Sequence, residues 1–405
     1  MTEPLHRSLA RRDVSPAAKM KRTYSGLAII VLNTIVLFLF LNLALYLVNA
    51  VRTSVWREEI NPEIKYGNDL MRRAYPEWSP KELRLLMAEY PHSLTFEPFT
   101  HFKERPVRGK YVNVDPGGFR FGRNQGPWPI DPANFNLFFF GGSTAFGYGL
   151  PDDQTIASYL QEILSANLPG RRIFVYNFGR GYYFSTQERI VLEQLITSGQ
   201  RPDLAVFLDG LNDFLLPDGY PGFADRLAAA LDGSAVKERT GFLENWPVTK
   251  AAHWIRRRLL AVDSSMGPRK VPQASSHAED SARAKRVIDR WFANKAILEA
   301  IGERGSFRLL FVWQPIPSYG FDLAYHPFVG REWPEKYALS MVGYPIVREQ
   351  IEAEKVANFL WLGDMQRDRK EMLYVDQLHY NAKFGRNIAQ RIADRILADG
   401  VQHAR

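Results

Sequence analysis

The sequence predicts an α/β domain of the doubly wound type, in which helices cover both faces of a parallel sheet. Five apolar runs of five to seven residues recur between Asn136 and Asp364, and runs that are apolar on both faces are typical of buried parallel strands. Helical patterns separate the runs, which is the alternation that this fold class requires. A long uncharged apolar stretch near the N-terminus predicts one transmembrane helix ahead of that domain.

That apolar stretch contains no charged residue from Thr23 to Val51. As a helix, residues 27–51 would be roughly 37 Å long at about 1.5 Å per residue, which is enough to cross a bilayer. The alternative is a cleaved secretory signal, whose apolar core is shorter, about 7–15 residues, and ends at a small-residue cleavage site. We therefore predict a basic tail over residues 1–22 and an uncleaved transmembrane helix over residues 23–51.

The charges on either side of the stretch predict its orientation. Six Lys and Arg residues and two acidic residues precede it, whereas Arg52 and Arg57 after it are matched by Glu58 and Glu59. The positive-inside rule places the N-terminus in the cytoplasm and the rest of the chain on the far side. Half of the formal charge of +8 belongs to this tail, so the basic balance does not indicate a nucleic-acid partner.

The composition sets further bounds. The 405 residues are 46% hydrophobic and 24% charged, which argues against wholesale disorder. This length allows either several domains or a single α/β core with insertions. The chain has no cysteine, which excludes disulfides and thiolate metal sites but fits any compartment.

Residues 52–130 are predicted to connect the apolar stretch to the α/β domain and to pack on that domain. Ser79-Pro80-Lys81-Glu82 has the pattern of a capping box with proline at the first helical position. The sequence Asp115-Pro116-Gly117-Gly118 has the composition of a turn.

The α/β domain is predicted over residues 131–405. Its five strand candidates are NLFFF (136–140), IFVYNF (173–178), LAVFLDG (204–210), RLLFVWQ (308–314) and NFLWLGD (358–364). Helices are predicted from apolar residues on one face, namely Ile156, Leu160, Ile163 and Leu164 in one helix and Ile388, Ile392 and Ile396 in the last. Ser185-Thr186-Gln187-Glu188 has the pattern of a second capping box.

A long segment, residues 215–306, interrupts this alternation. It contains a basic amphipathic stretch and a Ser/Pro/Gly-rich stretch at residues 263–280. We interpret it as a helical insertion that covers the site as a lid; an insertion without a role in substrate choice explains it equally well. The three arginines at 256–258 are interpreted as a solvated helix face.

Ser143 is the candidate nucleophile. It follows an apolar strand and the glycine pair Gly141-Gly142, so it should lie at the carboxyl edge of the sheet, where ligands bind in open α/β folds. Thr144 is the neighbouring alternative. A serine needs a base, and His379 is the best candidate, because Asp376 three residues earlier can bind its ring and stabilise the imidazolium.

Three groups are predicted to form an oxyanion hole. They are the backbone N–H of Ser143, the backbone N–H of Gly179 after the second strand, and the side-chain amide of Asn212 after the third. Each of the last two could instead be a simple turn residue. Tyr182 and Tyr183, close to Gly179, are the candidates for substrate contact. The scattered histidines indicate no metal site, and His326 is interpreted as a packed loop residue.

The ordered motifs FFFGGST, NFGRG, FLDGLND and VDQLHYN resemble those of the SGNH, or GDSL, hydrolase superfamily. The similarity covers about residues 110–397 and includes a VNVDPGGFR segment similar to that of membrane-anchored bacterial members. It implies a flavodoxin-like three-layer α/β/α sandwich that hydrolyses or transfers acyl esters without a metal or organic cofactor. The residues that match the family's motif are Ser143, Gly179, Asn212 and His379, with Asp376 completing the triad. Gly-Gly-Ser replaces the family's Gly-Asp-Ser, which puts a lipolytic substrate in doubt.

The resulting hypothesis is a serine esterase or acyltransferase in a bacterial inner membrane, with its catalytic domain in the periplasm. Its expected substrates are small acyl esters, acetyl esters of envelope or exported polysaccharide first among them. One alternative is a catalytically idle module that binds polysaccharide or an envelope partner. Another is a lipase or thioesterase for longer acyl chains. The sequence does not predict the oligomeric state.

Overall fold

The structure, a computed structural model, describes residues 16–60, 67–90, 94–217, 248–249, 277–329 and 337–400. The chain forms two compact units, one containing Met1–Glu59 and Val236–Val271 and the other Ile60–Ala235 and Pro272–Arg405. Most of the predicted basic tail, residues 1–15, lies outside the described residues.

The first unit contains the long helix α1 (Pro16–Ile60). Its apolar span Thr23–Val48 has a mean hydropathy of 2.6 and exposes large apolar side chains such as Phe40. The predicted apolar helix is therefore present, with a length and composition that fit either a membrane span or a signal sequence. The side-chain amide of Asn42 forms hydrogen bonds within this unit. Nδ2 donates to the Phe38 carbonyl at 2.8 Å, and Oδ1 accepts from the Val248 N–H at 3.0 Å.

The second unit begins with small elements that precede the main sheet. They are α2 (Asn68–Ala74), α3 (Pro80–Glu89), β1 (Leu94–Glu97), β2 (His101–Glu104), β3 (Val107–Arg108) and β4 (Asn113–Val114). Helix α3 has the predicted capping box, with the Ser79 side chain accepting from the Glu82 N–H and the Glu82 side chain accepting from the Ser79 N–H. The turn at Asp115 forms as well, since Gly118 N–H donates to the Asp115 carbonyl at 2.9 Å.

The main sheet has five parallel strands. They are β5 (Phe135–Gly141), β6 (Ile173–Asn177), β7 (Leu204–Asp209), β8 (Arg308–Trp313) and β9 (Phe359–Trp361), in the spatial order β6-β5-β7-β8-β9. The second strand lies outside the first, and the order then reverses from β7 onward, which is the flavodoxin-like arrangement. All five predicted strands and the predicted fold class are confirmed.

Helices cover both faces of this sheet. The remaining elements are α4 (Ser143–Phe146), α5 (Ile156–Asn167), α6 (Ser185–Thr197), α7 (Leu211–Leu215), α8 (His277–Gly305), α9 (Ala338–Glu354) and α10 (Ala382–Ala398), with 3₁₀ turns at Asp152–Gln154 and Leu323–Tyr325. Side chains of β5 alternate between the two faces: Leu137 and Phe139 pack with α5 and α10, whereas Phe138 and Phe140 pack with α6, α8 and α9. The sheet is thus buried on both sides.

The predicted insertion at residues 215–306 needs a correction. Its last part is the 29-residue helix α8, which connects β7 to β8, and Val287, Ile288 and Trp291 of this helix are buried in the core. This part is therefore a crossover helix of the fold and does not form a lid. Residues 218–247 and 250–276, which include the three arginines at 256–258, lie outside the described residues.

The predicted capping box at residues 185–188 is wrong in detail. Helix α6 begins at Ser185, but its N-cap is Phe184 and no side chain caps it. The Ser185 hydroxyl instead donates to the Asp213 carboxylate at 2.6 Å, and Glu188 is buried. Contacts with other parts of the chain have here overridden a local pattern.

Candidate active site

Three of the predicted site residues lie at the carboxyl ends of adjacent strands. Ser143 follows β5, Gly179 follows β6 and Asn212 follows β7. The strand order reverses between β5 and β7, and crevices at such switch points are where open α/β sheets bind ligands. The fold therefore brings these three residues to one edge, as the sequence predicted.

Ser143 is the first residue of the short helix α4 and is partly accessible, unlike its neighbours. Thr144, the alternative nucleophile, is buried, and its hydroxyl donates to Gln314 Oε1 at 2.7 Å. A hydroxyl held in this way is not available to a substrate. The geometry thus favours Ser143 as the nucleophile.

Asn212 lies directly against the backbone that precedes Ser143. A Cβ atom added to Gly142 would overlap Asn212 Nδ2, so glycine at this position is what allows the amide to approach. Asn212 Nδ2 donates one hydrogen to the Tyr183 carbonyl at 2.7 Å, which orients the amide. Because this nitrogen carries two hydrogens, the second can be offered to a substrate.

Asp376 and His379 form the predicted pair. Asp376 Oδ2 and His379 Nδ1 are 2.6 Å apart, and Asp376 Oδ1 accepts the backbone N–H groups of Leu378 and His379, each at 2.8 Å. Burial by itself would raise the pKa of Asp376, but the charge of His379 and these hydrogen bonds outweigh burial and lower this pKa to about 2. The carboxylate is thus kept ionised and aimed at one ring nitrogen.

The other ring nitrogen of His379, Nε2, is shielded from solvent and has no hydrogen-bond partner among the described residues. The His379 ring lies beside the Tyr148 ring, with centroids 5.5 Å apart. Tyr148 belongs to the turn that follows α4, so His379 borders the segment that carries Ser143. An unpaired Nε2 in this place is what a general base for that serine requires.

Gln314, which the sequence analysis did not single out, connects the nucleophile segment to the histidine segment. Its Oε1 accepts from the hydroxyls of both Thr144 and Tyr380, at 2.7 and 3.1 Å. These two residues are the immediate neighbours of Ser143 and His379. The Tyr380 hydroxyl also lies 2.6 Å from the Pro315 carbonyl, so its single hydrogen is shared between the two oxygens. A single buried amide at the end of β8 thus fixes the spacing between the two segments.

Gly179 lies close to the nucleophile helix, since an added Cβ would overlap the backbone of Phe146 and Ala145. Its N–H, however, donates to Asn177 Oδ1 at 3.0 Å. The close approach agrees with the glycine at this position, whereas the predicted donor already has an acceptor within the protein. Its part in an oxyanion hole remains a prediction.

The two candidates for substrate contact have different surroundings. Tyr183 is buried, and its hydroxyl donates to the Phe102 carbonyl, so it belongs to the core and does not face a substrate. Tyr182 is 62% exposed and adopts a left-handed backbone with φ 63°. A non-glycine residue in this conformation is strained, and such strain concentrates at functional sites.

A carboxylate cluster lies next to Asn212 and was not predicted. It consists of Glu188, Asp209 and Asp213, all buried, and each has one carboxyl oxygen without a hydrogen-bond partner among the described residues. Trp291 Nε1 donates to Asp209 Oδ2 at 2.8 Å. Burial, reinforced by the neighbouring acids, raises the pKa of Glu188 well above its ordinary value and that of Asp209 to about 7. The cluster therefore holds protons at neutral pH.

His326, interpreted above as a packed loop residue, is buried against an aromatic ring: it stacks on Tyr374 with centroids 4.8 Å apart. Burial lowers its pKa to about 4, so it is neutral at pH 7. Within the described parts of the chain, no group of three His, Cys, Asp or Glu side chains has the arrangement of a metal site.

Comparison with known proteins gives matches among solved structures. No family model and no curated protein matches the chain. Similar solved structures include an acetyl xylan esterase, a carbohydrate acetylesterase from Sinorhizobium meliloti and a lipase/acylhydrolase from Enterococcus faecalis. Each is 14% identical to this chain with a TM-score of 0.34; they cover 64%, 65% and 65% of this chain and 99%, 98% and 96% of their own.

Proposed function

We propose that this protein is a serine-dependent ester hydrolase whose nucleophile is Ser143. The observation that carries the proposal is the Asp376–His379 pair, with its 2.6 Å contact and its unpaired, shielded Nε2 beside the segment of the nucleophile. An orienting carboxylate, an imidazole and a partly accessible serine hydroxyl are the groups that acyl transfer requires.

In the first step, Ser143 Oγ attacks the carbonyl carbon of the ester while His379 Nε2 accepts the hydroxyl proton. The ionised Asp376 stabilises the imidazolium that forms. The carbonyl π electrons move onto oxygen and give a tetrahedral oxyanion. When this intermediate collapses, the bond to the leaving alkoxide breaks and His379 returns the proton to it, leaving an acyl group on Ser143.

The oxyanion needs donors that are in place before the reaction. Ser143 N–H lies in the first turn of its helix, where backbone donors have no intrahelical acceptor, and the second amide hydrogen of Asn212 is nearby. These two groups are the proposed oxyanion hole. Gly179 N–H would join them only by releasing Asn177 Oδ1, at 3.0 Å.

In the second step, His379 removes a proton from an acceptor hydroxyl, whose oxygen attacks the acyl carbon. The bond from the acyl carbon to Ser143 Oγ then breaks, and His379 returns the proton to Oγ. Water as acceptor gives hydrolysis, and a sugar hydroxyl gives acyl transfer. We propose small acyl groups on carbohydrate as the substrate, because the exposed ring of Tyr182 offers a surface for a sugar face. The helix Thr23–Val48 is proposed to anchor the protein in a bacterial inner membrane, with the N-terminus cytoplasmic and the catalytic domain periplasmic.

The test uses the full chain in detergent micelles, with wild type and Ser143→Ala side by side. A fluorophosphonate probe reports the activated serine, and p-nitrophenyl esters from acetyl to decanoyl report the acyl chain length. Thr144→Ala is the matched comparison: it removes the neighbouring hydroxyl together with its bond to Gln314 Oε1, so it should slow the reaction without abolishing it. We expect labelling and acetyl turnover in wild type and Thr144→Ala, and neither in Ser143→Ala.

Two outcomes would contradict the proposal. If folded wild-type protein neither labels nor hydrolyses any of the esters, the site is idle and a binding module is the better interpretation. If decanoyl esters are preferred over acetyl esters, the hydrolase stands but the small-acyl substrate is wrong. Release of acetate from acetylated polysaccharide, with and without an added unacetylated acceptor, then separates hydrolysis from transfer.

A further inference from the structure

Each of the two proposed oxyanion donors lies on a very short helix. Ser143 begins α4, which has four residues, and Asn212 is in α7, which has five. Helices of about one turn are not stable by themselves, because few backbone bonds form for the residues that are fixed. Their last carbonyl groups also have no intrahelical donor. Other parts of the chain must therefore hold both helices in place.

Arg120 meets this need at the nucleophile helix. Its side chain is fully buried, and Nη1 donates to the carbonyls of Phe146 and Gly147 at 2.9 and 2.8 Å. Nη2 donates to the Leu150 carbonyl at 2.5 Å, and Nε binds Asp152 Oδ1 at 2.9 Å. One guanidinium thus binds three carbonyl groups at and beyond the end of α4.

Arg290 does the same at the second helix. Its Nη2 donates to the carbonyls of Asp213 and Leu216 at 3.2 and 3.0 Å, and Nη1 donates to the Pro217 carbonyl at 3.0 Å. Its guanidinium lies over the Phe184 ring, 4.9 Å from the centroid. The two arginines come from unrelated parts of the chain, Arg120 from the connecting region and Arg290 from α8.

Arginine suits this task for two reasons. The guanidinium has five N–H donors in a rigid plane and can bind several carbonyl groups at once, whereas a lysine ammonium is a single point charge on a flexible stem. The carboxyl end of a helix also carries partial negative charge, which a cation stabilises. A lysine at either position would keep the charge but lose the fixed geometry.

The two helices have to be held relative to each other. Asn212 Nδ2 contacts the backbone at Gly142, immediately before Ser143, so a small shift of either helix changes the spacing between the two donors. We propose that Arg120 and Arg290 are a pair of positioning residues that set this spacing. The inference rests on the hydrolase function proposed above.

The experiment compares Arg120→Lys, Arg290→Lys and the double variant in the full chain. We measure the rate and the end-point of fluorophosphonate labelling, together with kcat and KM for p-nitrophenyl acetate. Arg395→Lys is the matched control, because this arginine also donates to a backbone carbonyl, that of Phe359 at 2.7 Å. Phe359 is the first residue of β9, so this contact lies at the amino end of an outer strand, whereas Ser143 follows the carboxyl end of β5.

Misplaced oxyanion donors lower the rate at which each active site is labelled, whereas partial unfolding lowers the fraction of chains that can be labelled at the end-point. We therefore expect one probe per chain at the end-point in all variants. We also expect labelling rate and kcat to fall by about 10- to 100-fold in each single variant, with KM little changed and Arg395→Lys like wild type. Since both arginines set one spacing, the loss in the double variant should be smaller than the product of the single losses.

The inference is overturned if the folded variants label at the rate of Arg395→Lys, or if only the end-point falls. Should Arg120→Lys fail to fold, Arg290→Lys and Arg290→Gln decide the question, because Arg290 is only half-buried. A wild-type protein that does not label would overturn the proposed function itself. A wild-type protein that labels, with variants that match it, overturns only the role of the arginines.

Discussion

Two regions of the second unit contain acids that are fully or partly withdrawn from solvent, and the charge state of the acids differs between the two regions. At the carboxyl edge of the sheet, the partly buried Asp376 has His379 and two backbone N–H groups as partners, which lower its pKa to about 2. In the carboxylate cluster beside Asn212, burial and neighbouring acids raise the pKa of Asp209 to about 7. The same type of side chain is thus kept charged in one place and holds its proton up to about neutral pH in the other.

The difference lies in the partners that each acid has. Burial disfavours the charge in both regions, but only at Asp376 do donors and a basic ring outweigh it. The edge therefore keeps a charge that can orient and stabilise an imidazolium. The cluster keeps protons, which allow Glu188 and Asp209 to lie side by side in the core. We expect changes at the edge to alter activity and changes in the cluster to alter stability.

The largest expected effect is on the charge at the edge. Asp376→Asn should lower kcat/KM by about 10³- to 10⁴-fold, because the amide neither fixes the ring tautomer nor stabilises the imidazolium. Asp209→Asn is the matched control and should leave turnover of p-nitrophenyl acetate at pH 7 close to that of wild type. Equal losses of kcat/KM in the two variants would mean that the two acids do not differ in their role.

The next effect tests the geometry of the edge. Gly142→Ala places a methyl group where the Asn212 amide lies, so we expect kcat to fall by about 100-fold through loss of one oxyanion donor. Gly385→Ala in α10 is the control, since the nearest atom to its added Cβ, Ile156 Cγ1, is 3.7 Å away. If turnover in Gly142→Ala is unchanged, Asn212 is not an oxyanion donor.

The third effect concerns stability against pH. Because the pKa of Asp209 is raised in the folded state, the stability that its proton contributes is fully present below about pH 4 and is lost as pH rises through about 7. The contribution of Asp376 has the opposite sign: it is lost only as pH falls through about 2. Urea unfolding should therefore show a stability lower by about 2 kcal/mol at pH 8 than at pH 5.

Asp209→Asn should flatten that slope, and Asp376→Asn should not. The asparagine retains an oxygen for Trp291 Nε1 but has no proton to lose. Tryptophan fluorescence can follow the transition in both variants. An unchanged slope in Asp209→Asn would mean that the cluster does not titrate in this range.

The smallest effect separates substrate contact from stability at the edge. Tyr182→Gly removes an exposed ring and relieves a strained backbone, so stability should rise by about 0.5 kcal/mol while KM for an acetylated polysaccharide increases. Lys355→Gly is the control: this residue is also exposed and left-handed, with φ 48°. If both variants leave KM unchanged, Tyr182 has no part in binding carbohydrate.

The sequence predicted best what repeats or lies close together along the chain. All five strands could be found because each is a short run that is apolar on both faces, and Asp376 and His379 because they are three residues apart in one turn. The arrangement of Ser143, Gly179 and Asn212 followed from their places after successive strands. These features depend on local pattern and on strand order.

What the sequence did not predict depends on contacts between distant residues. Gln314 and Arg120 bind residues that are far away in the chain, and nothing near either residue indicates its partners. Glu188 fitted a capping pattern but is buried in the carboxylate cluster, because tertiary burial outweighed a local bond. Helix α8 was interpreted as part of a lid because residues 263–280 just before its apolar face have the composition of a loop.

The pairing of the connecting region with the sheet has a consequence for solubility. The N–H of Arg120 donates to the Asn177 carbonyl at 2.8 Å, so the connecting region adds an antiparallel bridge to β6, an edge strand of the sheet. Exposed edges of this kind pair with other molecules and cause aggregation. A chain that begins at residue 131 would leave the edge of β6 exposed. We expect it to precipitate on expression even though it keeps Ser143, Asp376 and His379.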